Sequence, residues 1–282
     1  MIWAVAPDRI IAVNGVELAV VDRGDPATGA LPLVLLHGFT GGKVDFADVI
    51  DDLARDRRVV AWDHRGHADS TNTGDPATYT FDQLADDAAG VVEALGLDQF
   101  HLLGHSMGGI VAQRFALAHG SQIRSLVLMD TAGAAMPALP ASFVESTVAQ
   151  GRSEGMGTVA AKMRRFAADM PVPPEAKERI LDRLEEKLTK MDVEAFDSLG
   201  RALGEFPSML ERLGAELSVP VTILVGEHDT GLLPAAEALH AAVAGSELVV
   251  IAGAAHSPQD EQPTAWLEAV RAHLARAEAT KA

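Results

Sequence analysis

Ser106 stands in Gly104-His105-Ser106-Met107-Gly108, between an apolar run at residues 100–103 and a helical pattern over residues 110–119. A serine hydroxyl is a weak nucleophile at neutral pH and needs a base. Glycines on both sides, at a strand-to-helix junction, permit a turn sharp enough to lift the hydroxyl off a sheet. That is the pattern of a nucleophile elbow. The helix behind it supplies free N–H groups and a partial positive charge, both of which favour an oxyanion. A glycine-flanked serine alone marks only a turn; the strand, turn and helix together make Ser106 a candidate for covalent chemistry.

Ten histidines compete for the role of base. His37 and His105 flank other motifs, His64 and His67 lie in an early loop, and His119 and His240 read as exposed helix residues. His256, in Gly253-Ala254-Ala255-His256-Ser257-Pro258, follows the last strand pattern and precedes the last helix pattern, which sets it apart. A catalytic imidazole needs an acid to hold its tautomer and stabilise the imidazolium. Asp229 follows the strand pattern at 221–225, and Asp130 follows the one at 123–129. Either reaches the strand ends; Asp229 is the favoured acid, Asp130 its competitor, and Glu227 reads as a solvated loop residue. Backbone N–H groups aimed at a developing charge lower a barrier by ~3–4 kcal/mol each. The expected donors are Phe39, in His37-Gly38-Phe39-Thr40-Gly41-Gly42, and Met107.

These residues need a scaffold that brings distant segments together. Two β-prone runs at 9–13 and 16–21, joined by Asn14-Gly15, read as a hairpin because both turn residues tolerate positive φ. Strands are then expected at 33–36, 58–62, 100–103, 123–129, 221–225 and 248–251. Helices are expected at 44–53, 81–95 (with Thr80 as N-cap), 107–119, 234–243 and 261–275. Such alternation means an α/β fold, a mostly parallel twisted sheet flanked by helices. Residues 134–216 break it. They hold no strand-like run, show helical patterns at 175–191 and 193–205, and carry Pro137, Pro140, Pro171, Pro173, Pro174 and Pro207. We read them as a helical cap inserted after the strand ending near Met129, with 1–133 and 217–282 forming the core. Ligands of such sheets bind at the carboxyl ends of the strands, where an inserted cap would lie as a lid. The cap's Met136, Phe143, Met156, Met163, Phe166, Met170, Phe196 and Met209 read first as side chains packing it onto the core.

Composition narrows the function classes. The chain has 282 residues, of which 48% are apolar, enough for one large core and too many for a disordered chain. It contains no cysteine, which excludes disulfides, thiolate catalysis and cysteine-held metals and fits a reducing cytoplasm, the expected location. A formal charge of −17 opposes binding to nucleic acid and to anionic membranes. The N-terminal Met1 to Val5 is apolar but soon meets Asp8 and Arg9 and lacks a basic leader, so no targeting segment is expected. No apolar run approaches the ~20 residues of a membrane span.

The motifs together resemble the α/β-hydrolase superfamily, in particular its small capped carboxylesterases and lactonases. The resemblance rests on His37-Gly38-Phe39, on Asp63-His64-Arg65-Gly66-His67-Ala68-Asp69-Ser70, on the elbow, on Gly226-Glu227-His228-Asp229 and on Gly253-Ala254-Ala255-His256. It implies the α/β-hydrolase fold and a Ser106–Asp229–His256 triad in that chain order. It also implies hydrolysis of a small, largely apolar ester or lactone without metal or organic cofactor. Where the family often has a second glycine in the early loop, this chain has Ala68. Ser106 argues against the epoxide hydrolases and haloalkane dehalogenases of this fold, whose nucleophile is Asp. His105 differs from the Asn common before the nucleophile of carbon–carbon bond hydrolases. Carbon–carbon bond hydrolysis, a lyase reaction and perhydrolase chemistry on the same triad are the alternative readings, and a non-catalytic receptor is opposed by the intact Ser, His and Asp.

Overall fold

The structure is a computed structural model that describes residues 6–135, 140–167 and 174–279. Asn14 and Gly15 take φ of 47° and 77° and close the hairpin between β1 (Arg9–Val13) and β2 (Val16–Arg23). Six further strands follow: β3 (Leu33–Leu36), β4 (Val59–Trp62), β5 (Phe100–His105), β6 (Ile123–Met129), β7 (Val221–Gly226) and β8 (Glu247–Ile251). All eight join one sheet in the order β1-β2-β4-β3-β5-β6-β7-β8. The β1–β2 and β2–β4 pairs are antiparallel and the rest parallel. β3, β4, β5 and β7 are buried at every residue, as expected for parallel strands covered on both faces.

The helices are α1 (Ile50–Leu53), α2 (Phe81–Ala94), α3 (Met107–Ala118), α4 (Ala141–Glu154), α5 (Met156–Ala167), α6 (Pro174–Lys190), α7 (Val193–Ala202), α8 (Leu210–Glu216), α9 (Leu233–Ala242), α10 (Pro258–Glu261) and α11 (Pro263–Ala279). Thr80 caps α2 by accepting the Gln83 N–H at 3.1 Å. One core packs α2 and α3 on one face of the sheet through Leu84, Val91, Ile110 and Phe115. The other packs α1 and α11 on the opposite face through Leu53, Trp266, Val270 and Leu274.

One expected helix is broken. Residues 44–53 form a 3-10 turn at Lys43–Phe46 and then the short α1. Lys43 is buried, its N–H donates to Asp63 at 2.6 Å, and its ammonium bonds Asp63 and Asp69 at 2.7 Å each. The Asp45 carboxylate accepts the Gly42 N–H at 3.0 Å. Side-chain bonds here replace the helical ladder. The expected closing helix at 261–275 is the unbroken α11, which begins at Pro263, a residue that needs no intrahelical donor at that position, and the short α10 precedes it.

Between β6 and β7 the described residues form only helices, α4 to α8. Of these, α4, α5 and α8 escaped the sequence reading as separate helices. Polar links tie this segment to the core loops: Tyr79 Oη donates to Asp192 at 2.6 Å, and Arg183 bonds Asp48 at 2.7 Å and Asp260 at 2.8 Å. Met156, Phe196 and Met209 are buried, Phe143 and Met163 are half-buried against the core, and Phe166 is exposed. Met136, Met170, Pro137, Pro171 and Pro173 lie outside the described residues, as do Met1 to Val5. Among the described residues no helix is long and apolar enough to cross a membrane.

Candidate active site

Ser106 joins β5 to α3 with φ 53° and ψ −118°, a strained conformation for a non-glycine residue. The flanking glycines make this turn possible. A Cβ on Gly104 would sit 2.3 Å from the Gly108 carbonyl oxygen, and one on Gly108 would sit 2.4 Å from that of Leu36. The Ser106 N–H donates to the Met129 carbonyl at 2.8 Å, and the Thr131 hydroxyl donates to the Ser106 carbonyl at 2.7 Å. The backbone is thus held while the side chain faces a cavity.

The loop after β8 carries His256 to this hydroxyl, with Nε2 3.1 Å from Ser106 Oγ. The loop after β7 places Asp229 Oδ2 2.6 Å from His256 Nδ1. Burial, the largest single cause, pushes the Asp229 carboxyl up, but its hydrogen bond with His256, the attraction between the two and smaller contributions from its other hydrogen bonds together hold it below the ordinary carboxylate range. With Asp229 accepting at Nδ1–H, His256 Nε2 is the free acceptor that can take the serine proton. Asp130, the competing acid, does not bond His256. It is fully buried, and its Oδ1 accepts the Gly226 N–H at 2.9 Å. Glu227 is exposed and accepts the Gly253 N–H at 2.8 Å.

Phe39 and Met107 line the cavity beside Ser106. Neither N–H donates a hydrogen bond among the described residues, and that of Met107 begins α3, where no intrahelical acceptor exists. The loop after β3 passes close over the elbow: a Cβ on Gly38 would lie 3.0 Å from Ser106 Cβ. Two cavities meet at Ser106, His256 and Phe39. One of about 380 Å³ has apolar walls at Ile110, Leu203, Phe206 and Leu232. The other, about 210 Å³, sets the charged Asp45, Arg183, Lys187 and Asp260 beside the apolar Ile180, Leu181 and Leu184. Sequence reasoning missed Leu203 and Phe206, which no motif marks. It also missed two residues that hold the histidine loop. His105 Nε2 donates to the His256 carbonyl at 2.7 Å, and the Glu261 carboxylate accepts the N–H groups of Ala255 and Ser257. Adjacency to Ser106 was the only available signal for His105.

Asp130, Asp229 and His256 each bring a possible ligand atom within 4.8 Å of the others. The facing atoms of Asp229 and His256 are already joined at 2.6 Å, closer than two ligands on opposite sides of a metal would stand. The group is therefore organised by hydrogen bonds.

A sheet of this order, with a serine elbow after β5 and acid and histidine after β7 and β8, defines the class. A sequence model described as "alpha/beta hydrolase fold" matches residues 32–263, and the chain belongs to that family. Among its relatives is a putative 2-succinyl-6-hydroxy-2,4-cyclohexadiene-1-carboxylate synthase of Bacillus subtilis (strain 168), 27% identical, with 90% of this chain and 93% of that one covered. A 2-hydroxymuconate semialdehyde hydrolase of Pseudomonas sp. (strain CF600) is 36% identical over 46% of this chain and 45% of its own. Among solved structures, a thermophilic esterase from Thermogutta terrifontis superposes with a TM-score of 0.80 at 28% identity, covering 95% of this chain and 97% of that one. The enol-lactonase from Burkholderia xenovorans LB400 superposes with a TM-score of 0.80 at 25% identity, covering 95% and 100%.

Proposed function

We propose that the chain is a serine hydrolase of carboxylic esters or lactones, with Ser106 as nucleophile, His256 as base and Asp229 as the acid that orients it. His256 Nε2 takes the Ser106 proton as Oγ attacks the carbonyl. The Phe39 and Met107 N–H groups stabilise the oxyanion. His256 then protonates the leaving alkoxide, and water, activated by the same imidazole, releases the acid from the acyl-enzyme. The observation that carries this reading is the continuous relay at the elbow, 3.1 Å from Ser106 to His256 and 2.6 Å on to Asp229.

Residues 134–216 act in this reading as a cap over a core of 1–133 and 217–282. The larger cavity takes a small apolar arm of the substrate, while the smaller one offers the other arm charged side chains among its apolar ones. Esters with one apolar and one hydrogen-bonding arm are the expected substrates. The lack of cysteine supports a cytoplasmic location. A second reading, carbon–carbon bond hydrolysis on the same triad, is favoured by the partial identity to the semialdehyde hydrolase. A fluorophosphonate probe tests the first reading. It should label wild type on the peptide containing Ser106 and leave Ser106→Ala unlabelled. Turnover of p-nitrophenyl acetate and butyrate, set beside a vinylogous diketone, separates the two. Faster diketone cleavage would replace the ester reading.

A further inference from the structure

Two acids lie at the histidine, and the proposed mechanism uses only one. We propose that Asp130 donates a hydrogen bond from its buried Oδ2 to Asp229, and so acts as the positioning residue for the acid that orients His256. The inference rests on the triad reading above.

Asp130 follows β6 at φ 44°, in the left-handed region that non-glycine residues avoid. A conformation of that kind persists only where the surroundings hold it. Here the side chain is fully buried and its two oxygens have different fates. Oδ1 accepts the Gly226 N–H at 2.9 Å. Oδ2 is sealed from solvent, and among the described residues no donor reaches it. A charged oxygen left so would carry an uncompensated desolvation cost. An acceptor lies close by, because Asp130, Asp229 and His256 each bring a polar atom within 4.8 Å of the others, and His256 Nδ1 is already bonded to Asp229. A carboxylic acid meets a carboxylate as donor to acceptor; two carboxylates repel.

The charged groups facing Asp130 are Asp229 from the loop after β7, Glu261 from α10, and His256 when protonated. Burial, the largest cause, pushes the Asp130 carboxyl well above the ordinary range; the Gly226 N–H opposes it, and the charge of Asp229, a hydrogen bond with Asp229 and the charge of Glu261 each add a smaller upward push. The same hydrogen bond helps to hold Asp229 below its ordinary value. One proton shared in this way leaves one negative charge beside His256. A second would repel the first across the shared site. It would also leave Asp229 free to rotate away from Nδ1. The competition between the two acids that the chain order leaves open is thereby resolved by protonation: Asp229 carries the charge and Asp130 carries the proton.

The test compares Asp130→Asn and Asp130→Ala in the full chain, with an activated ester as substrate across a pH series. Asn keeps an acceptor for Gly226 and a donor for Asp229. It should retain kcat within ~3-fold and leave the acid limb of the kcat/KM profile in place. Ala removes the donor and should lower kcat by ~10–100-fold with KM little changed, the size of effect seen when a supporting hydrogen bond to a functional side chain is lost. An acid limb moved down by ~1 unit in the Asn variant would mean that a negative charge had been removed, and would overturn the proposal. Wild-type kcat in the Ala variant would overturn it too. If the Ala variant does not fold, the infrared carbonyl band of a protonated carboxyl decides independently: present in wild type at neutral pH and missing from Asp130→Asn, or else the proposal fails. Ser106→Ala is run alongside. Full turnover in that variant would remove the triad reading itself, while the infrared band still reports where the proton resides.

Discussion

His256 and the group formed by His37, His64 and His67 occupy loops at the same end of one sheet, yet they do opposite things. The His256 side chain is 45% exposed, bonds an acid at Nδ1 and faces a serine at Nε2. The other three are buried and pack against one another at steep ring angles, with ring centroids 4.3 Å apart for His37 and His64 and 5.1 Å apart for His37 and His67. Burial, followed by the neighbouring rings, holds His64 down to about 3 and His37 well below its ordinary value. Burial takes His67 to about 4. His37 donates from Nδ1 to the Gly38 carbonyl and accepts the His64 N–H at Nε2, so it clips the loop after β3 to the loop after β4. A histidine with an acid partner and access to a cavity is placed to act as a reagent, the role proposed above for His256. A histidine without either is a neutral strut, and its contribution is stability.

The sharpest way to break this contrast is to remove one of each. His256→Ala should lower kcat by ~10⁴ or more while leaving the thermal midpoint nearly unchanged. His64→Leu should leave kcat within a few-fold, because neither ring nitrogen of His64 has a hydrogen-bond partner among the described residues. Comparable loss in both variants would erase the distinction.

The next largest effect is on stability against pH. His37, His64, His67, His101, His105 and His273 all have folded values below the unfolded value near 6.5, chiefly through burial. The unfolded chain therefore binds more protons as pH falls below about 6.5, and stability is lost on acidification, by about 1.4 kcal/mol per pH unit for each such histidine. Asp260, pushed up to about 7 by burial and then by Asp45, works in the other direction, as do Asp130 and Asp63, both raised chiefly by burial, and the six histidines outnumber these three carboxyls. Urea midpoints at pH 7, 6 and 5 should fall steeply together; a flat series would show that the buried rings titrate freely. His64→Leu should flatten that dependence by about 1.4 kcal/mol per pH unit, one histidine's share.

The smallest effect concerns the loop that carries His64 and His67. It holds Ala68 at φ 42°, where the family pattern has glycine. Ala68→Gly should stabilise by about 0.5–1 kcal/mol, read from the urea midpoint, with kcat unaffected.

Much of the fold was legible because parallel strands buried on both faces read as unbroken apolar runs. All eight strands lie within two residues of their expected bounds. The Gly104 to Gly108 elbow was legible because its backbone tolerates no side chain at the flanking positions. The 3-10 turn at Lys43–Phe46 was not, because it depends on Asp63 and Asp69 far along the chain. Nor was the burial of His64 and His67, whose loop looks polar in isolation.

Local patterning thus determined the order of strands and helices and the candidate nucleophile, base and acid, since periodicity and turn chemistry are written into neighbouring residues. Tertiary structure decided which acid meets the imidazole, which histidines lose their charge and which residues wall the cavities. Those outcomes turn on contacts such as that between Ser106 and His256, 150 residues apart, and on which groups the closed fold shuts away from water.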